Sequence, residues 1–244
     1  MEPSSQIRDA VAQVSVLRQA CEANAVLRDA VSAIKTTQAR RFSATYADLL
    51  AGEDHAAAAR FFLEELYGDR DYAQRDAQFS RIAGAVQRLF PQQIVATAVA
   101  LAQLHLLTEQ LDHAMGAAWP DLSGDEAARY VQAWRITGRR DARRQQLDVV
   151  MEVGREMMKF TRTPGLRLML KMMRGPAAAA GLSALQNFLE TGFDTFGDMA
   201  RTNGRAERFL QLVEQREAAF IHLMFDTPPV ACETELRQTL GIAR

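Results

Sequence analysis

Apolar positions recur three and four residues apart along most of the chain, and no convincing strand-length run alternates apolar with polar. That spacing lines one face of a helix, whereas alternation lines one face of a strand. Ile7, Val11, Val14 and Leu17 predict a first helix, and Leu27, Val31 and Ile34 a second. A polar run from Thr36 to Arg41 then separates these from Phe42, Tyr46, Leu49 and Leu50, with Gly52 as a stop. Phe61, Phe62, Leu63, Leu66 and Tyr67 share a helix that meets Gly68, and Asp71 with Gln74 reads as a capping box for the next, through Phe79, Ile82 and Val86. Pro91 opens a helix over 91–118 that is apolar nearly all round in its first half. Ser123 with Glu126 predicts another capping box, for a helix carrying Tyr130, Val131 and Trp134 and closed by Gly138. A helix from about Ala142 carries Leu147, Val150, Met151 and Met158. Thr163 as cap and Pro164 as first residue open the next, and Pro176 opens a long stripe over 176–200. Gly192 and Gly197 within that stripe predict a close contact or a bend. After the Asn203-Gly204 turn comes a helix with Phe209, Val213, Phe220 and Met224 inside and Glu207, Arg208, Glu214, Arg216 and Glu217 outside. A short last helix covers 233–240.

These elements predict an all-α fold, a bundle of nine to eleven helices with no sheet, built around 91–118 and 176–200. The expected organisation is a single helical domain over 1–244, with Pro120–Gly124 marking two subdomains, 1–119 and 123–226. The first forty residues read either as a projecting hairpin or dimerisation arm, or as helices packed on the main body.

The segment Arg60 to Phe79, RFFLEELYGDRDYAQRDAQF, is dense in aromatics and alternating charge. Tyr46, Leu49 and Leu50, then Phe61 to Gly68, then Arg75 and Asp76, and later Leu185 to Phe193, form a pattern that resembles an uncharacterised family of proteobacterial helical proteins. The resemblance spans roughly residues 40 to 200. It implies an all-helical fold and a bacterial origin, and it implies no catalytic residue.

Composition narrows the function classes. A net charge of −1 argues against a general polyanion binder, so nucleic acid is a disfavoured partner. Two distant cysteines, Cys21 and Cys232, carry no metal-ligand spacing and suit a reducing compartment, so a cytoplasmic location is expected. The N-terminus lacks a signal pattern, and the apolar run Ile94–Leu107 is broken by Gln103 and His105 and too short to span a bilayer. No phosphate loop, nucleophile elbow or HExxH motif is present, and no motif points to a resident cofactor.

Four clusters remain. From Arg155 to Arg174 there are six basic residues and one acidic residue, together with Met157, Met158, Met169, Met172 and Met173. Thioethers repack easily, so this region suits a groove for a protein partner or a small apolar ligand; a basic amphipathic helix also suits an anionic membrane surface. The wide apolar arc over 166–174 equally predicts a core helix with one wet edge. Arg139, Arg140, Arg143 and Arg144 are candidates for binding an anion, or else a solvated turn with internal ion pairs. His105, Glu109 and His113 lie on successive turns, with Asp112, within an arc of about 100°, and are candidate metal ligands or acid-base groups; packed, hydrogen-bonded polar residues are the plainer reading. Asp69, Asp71 and Asp76 form an acidic corner that either joins such a site or fixes an inter-helix angle. The first functional expectation is therefore a non-enzymatic binding or regulatory protein working through 157–173, with a protein partner or a homodimer. The alternative is an enzyme or cofactor carrier with its site around His105, Glu109 and His113.

Overall fold

The computed structural model describes residues 1–63, 73–119, 123–202 and 204–242; every regular element among them is helical and no strand occurs. In chain order the helices are α1 (Pro3–Ala23), α2 (Ala25–Thr45), α3 (Ala47–Ala51), α4 (Ala56–Phe61), α5 (Ala73–Leu89), α6 (Gln92–Ala118), α7 (Glu126–Thr137), α8 (Arg140–Thr161), α9 (Leu166–Met172), α10 (Arg174–Ala179), α11 (Ser183–Arg201), α12 (Arg205–Asp226) and α13 (Pro229–Leu240). This exceeds the expected nine to eleven, because the short α3, α4, α9 and α10 are set off by breaks too local for periodicity to register. Two compact units emerge. The first comprises Met1–Ser15, Arg70–Leu106 and Val149–Leu210, the second Val16–Asp69, Leu107–Asp148 and Gln211–Arg244.

The first unit buries Ile7, Ala10 and Val14 of α1, Ala83 and Val86 of α5, Val95, Ala102 and Leu106 of α6, and Phe193, Phe196 and Met199 of α11. Each such large apolar side chain contributes about 1.5–3 kcal/mol relative to exposure. Its polar ties join helix ends. The backbone N–H of Ser4 donates to Gln87 Oε1 at 2.9 Å. The residue before α11, Leu182, offers no side-chain cap. Gln78 on α5 supplies one instead, its Oε1 accepting the Leu185 N–H at 2.9 Å. A first-turn N–H has no partner inside its own helix, so this bond fixes α11 against α5.

The second unit has a core of Ala30 and Ile34 from α2, Met115 from α6, Tyr130, Val131 and Trp134 from α7, Met224 from α12, and Cys232, Leu236 and Leu240 from α13. α2 and α6 touch closely at Gly116, where a Cβ would lie 2.5 Å from Val31 Cγ2 and 3.3 Å from the Val31 backbone nitrogen. Asp125 caps α7 by accepting the Ala128 N–H at 2.9 Å, and the same carboxylate receives Arg237 of α13 at 2.6 Å. α13 packs on both α7 and α2. Residues 1–40 are thus packed on these cores through Ile7, Val14, Val31 and Ile34, not projecting.

Several boundaries differ from the sequence expectation, each for a visible reason. Asp125, not Ser123, caps α7, and Glu126 does not complete a capping box: its carboxylate accepts from the Thr37 hydroxyl at 2.8 Å and from Arg40 at 2.6 Å. The polar run 36–41 does not interrupt α2, because Thr37 and Arg41 turn inward and are buried. Thr163 does not open α9; its hydroxyl donates to the Lys159 carbonyl at 3.2 Å, and Gly165, at φ +81°, precedes the helix. The stripe over 176–200 is split at Gly181, whose φ of +67° favours glycine, so α11 starts at Ser183. Gly197 makes no close approach, its nearest neighbour to a Cβ being Thr161 Cγ2 at 3.8 Å. The last helix begins at Pro229, a residue suited to a first turn. Gly68, the Asp71 capping box, Pro120 and Asn203 lie outside the described residues.

α6 is long and apolar enough to cross a membrane by length and composition, and no other helix among the described residues is. Its Leu111 and Met115 are fully buried, and the carboxylates Glu109 and Asp112 are largely buried, meeting Lys35 and Gln38 of α2 at 2.8 Å each. Buried, partnered carboxylates suit the core of a protein better than a lipid-facing helix.

Candidate functional site

The Met-rich basic region lies in the first unit. Gly165 and Met173 bracket α9 into seven residues, and none of its side chains is buried. It rests on α11 through half-buried Leu166, Met169 and Leu170, while Leu168 and Met172 stay 62% and 68% exposed. The expectation of a core helix with one wet edge is therefore corrected: a helix of two turns cannot present a continuous buried face, and its apolar residues point both ways. The five methionines differ in burial. Met157 and Met158 are half-buried on α8, Met169 is half-buried on α9, and Met172 and Met173 are exposed. The nearby groove, about 250 Å³, is lined instead by Thr161, Arg162, Arg167, Phe193, Asp194 and neighbouring residues.

The basic rim is held in surface ion pairs. Arg167 Nε donates to Asp194 at 2.8 Å, Arg174 Nε to Glu190 at 2.8 Å, and Arg162 to Glu207 at 3.3 Å. Arg174 and Gln186 hold the Glu190 carboxyl down at about 2. Gln186 also donates to the Leu170 carbonyl at 2.7 Å, tying the end of α9 to α11.

The other sequence candidates disperse. His105, in the first unit, sits 2.9 Å from Asp76 Oδ2, so Asp76 is a histidine partner; Asp69 and Asp71 lie outside the described residues. In the second unit Glu109 accepts from Lys35 at 2.8 Å, and His113 Nε2 is buried with no hydrogen-bond partner. Among the described residues no group of three or more His, Cys, Asp or Glu side chains comes together as metal ligands would. The arginines also go separate ways. Arg139 and Arg144 are exposed, Arg140 is paired with Asp226 while stacked 4.8 Å from the Phe225 ring, and Arg143 is buried. Asp226, between Arg140 and His222, is held at about 2.

Arg143 instead joins a small chamber in the second unit that the sequence did not reveal. Its walls come from α2 (Gln38, Arg41), α6 (Thr108), α7 (Tyr130, Trp134), α8 (Arg143, Gln146) and α12 (Glu217, Phe220), around a space of about 50 Å³. Arg41 donates to Glu217 at 2.6 Å and lies 4.3 Å over the Phe220 ring. Tyr46 donates its hydroxyl to the same Glu217 oxygen at 2.9 Å. Burial works against the charge on Arg41, but Glu217 outweighs it and holds the guanidinium protonated. Arg143 lies 4.0 Å over the Trp134 ring and donates to Gln146 Oε1 and Met115 Sδ, each at 3.1 Å. Burial pushes the Tyr130 hydroxyl up to about 12 and also raises Asp112, which Lys35, Arg143 and Gln38 pull back down. On two of the lining residues, Arg41 Nε and Trp134 Nε1 are buried with no hydrogen-bond partner. Glu217, expected on an outer face, is the pivot of this network. The one local hint was the pair Arg40-Arg41 directly before Phe42, inside an otherwise helical run.

Two helical units, one with an internal polar chamber and one with an exposed apolar helix, make this an all-α protein. Residues 17–230 match the model of a family described as a domain of unknown function, DUF8198, and the chain belongs to that family. No curated protein and no solved structure matches it.

Proposed function

We propose that the protein is a non-enzymatic helical binding protein whose α9 surface docks an amphipathic helix of a protein partner, one carrying acidic residues beside its apolar face. The observation that carries this reading is that α9 buries no side chain and holds Leu168 and Met172 outward. Exposed apolar groups rimmed by charge mark interaction sites. The rim is basic, with Lys171 and Arg174 close by, and its surface ion pairs are weak enough for a partner's carboxylates to exchange with Asp194 and Glu190. The exposed side chains form a surface and enclose no cavity, which suits a helix better than a small apolar ligand. We take the setting to be the bacterial cytoplasm, in keeping with two cysteines that form no disulfide.

Photo-crosslinking tests this in cells that produce the protein, with p-benzoylphenylalanine placed at 168 or 172 and, as controls, at the exposed Val16 and Val26. The expected outcome is one crosslinked protein, shared by 168 and 172 and absent at the controls. The crosslink should map to an amphipathic acidic helix, and Met172→Glu should remove the adduct formed from position 168. A crosslink to a second copy of this chain, to lipid, or to nothing above the controls overturns the reading.

A further inference from the structure

We infer that the groove of the first unit lined by Gly197, Arg162, Arg167 and Arg201 is a binding site for a small phosphate monoester. Glycine inside a helix costs stability, and close packing commonly accounts for it. Gly154 on α8 is such a case: a Cβ there would lie 2.5 Å from Leu210 Cδ2. Gly197 on α11 is not, since the nearest neighbour to a Cβ, Thr161 Cγ2, lies at an ordinary contact distance of 3.8 Å. Gly197 lines instead the groove of about 250 Å³, with Phe193 and Ala200 of the same helix. A missing side chain at that point lets a ligand approach the helix backbone closely.

The rest of the lining gives the class of that ligand. Arg162 just after α8, Arg167 on α9 and Arg201 at the end of α11 line the groove, against one carboxylate, Asp194, among the described residues. Each arginine has an acidic partner: Glu207, Asp194 and Asp198 in turn. These pairs are at the surface, where such bonds are weak, so an anion of better geometry competes with them. Guanidinium groups bind phosphate through paired N–H bonds, and the three terminal oxygens of a phosphate ester suit three arginines on three elements better than the two of a carboxylate. The ends of α8 and α11 also lie here, and helix C-termini disfavour an anion. That effect is one of half charges confined to the last turn, whereas the arginines bring three whole charges. Phe193, Gly197 and Ala200 leave an apolar floor for the organic group. The space has room for roughly eight waters at about 30 Å³ each and falls short of the roughly 300–1,000 Å³ that drug-sized ligands occupy, so it selects a small ester. Leu168 and Met172 do not line the groove, so this site and the α9 docking surface stand or fall separately.

Titration of the full chain carrying isotope-labelled glycine, followed by nuclear magnetic resonance, tests this, with the Gly197 amide as reporter and the packed Gly154 as internal control. The probes are phenyl phosphate, phenol, benzoate and inorganic phosphate at matched ionic strength. The expected result is a saturable shift of the Gly197 resonance with phenyl phosphate, a dissociation constant on the order of millimolar or below, and no matching change at Gly154. Gly197→Leu fills the groove while supplying a better helix former, and by calorimetry it should weaken phenyl phosphate on the order of tenfold or more. Arg201→Gln breaks only an exposed pair with Asp198 and leaves the α9 rim intact; it should weaken binding on the order of tenfold. Circular dichroism confirms that both variants are folded. No saturable shift at Gly197, an equal shift at Gly154, equal affinity for phenol, benzoate or inorganic phosphate, or undiminished binding in both folded variants overturns the inference.

Discussion

Around Glu217 the second unit turns charge inward, whereas around α9 the first unit leaves apolar groups outside. Around Glu217 the second unit buries a guanidinium and a phenol and satisfies both against one half-buried carboxylate. Around α9 the first unit exposes Leu168 and Met172 and spends its arginines on surface pairs. The contrast shows where substitutions are costly: at a buried ion pair removal of one partner strands the other, whereas a surface helix tolerates change.

The largest expected effect tests that contrast directly. Glu217→Ala strands Arg41 and should destabilise the protein by about 3–5 kcal/mol in a denaturant titration. The double variant Arg41→Met, Glu217→Leu should recover much of that loss; no recovery would mean that packing and not charge dominates. Next in size is Gly116→Ala, where the new Cβ meets Val31 side chain and backbone at 2.5 and 3.3 Å. Overpacking of this kind costs about 1–3 kcal/mol, less the helix propensity gained. In the first unit Gly197→Ala meets nothing closer than 3.8 Å and should stabilise by about 0.5–1 kcal/mol, read as a higher Tm. Opposite signs at two helical glycines would confirm that the tight contact at Gly116 has no counterpart at Gly197.

Acid should separate the two regions by sign. Glu190 is held at about 2 against an ordinary 4.5, so its contribution is present above that ordinary value and fades as the pH falls towards 2. For an exposed pair the loss is at most about 1 kcal/mol and shrinks with salt. Asp112 is raised by burial, so its contribution runs the other way and weakens as the pH rises above 3.8. Glu190→Gln should therefore flatten the acid limb of a Tm-against-pH curve, and Asp112→Asn should lift its neutral end. The smallest effect is expected from Leu168→Lys or Met172→Lys, within about 0.5 kcal/mol of the unaltered protein. A larger loss would mean that α9 is packed against something.

The helices themselves were legible because each long one carries its apolar stripe at i, i+3 and i+4, as α11 does from Leu185 to Met199. Short elements and caps were less so. Ser123 and Asp125 are both capable caps two residues apart, and only the diversion of Glu126 to Thr37 and Arg40 decides between them. Exposure of α9 was hidden because its five Leu and Met residues look alike whether they face a core or a partner. The chamber was least legible of all. Arg41, Tyr130, Arg143 and Glu217 come from four helices spread over most of the chain, and of these only Arg41 and Arg143 stood out by their neighbours in sequence. Which polar residue turns inward is set by packing that no local pattern encodes.

The family match ends at residue 230, the second residue of α13, yet that helix delivers Cys232, Leu236 and Leu240 to the core and Arg237 to the carboxylate that caps α7. The edge of the family match and the edge of the packed core therefore fall in different places. A fragment trimmed to the family's limits would lay bare Trp134 and Met224 and loosen the first turn of α7, so any study of an isolated domain has to carry the chain through Leu240.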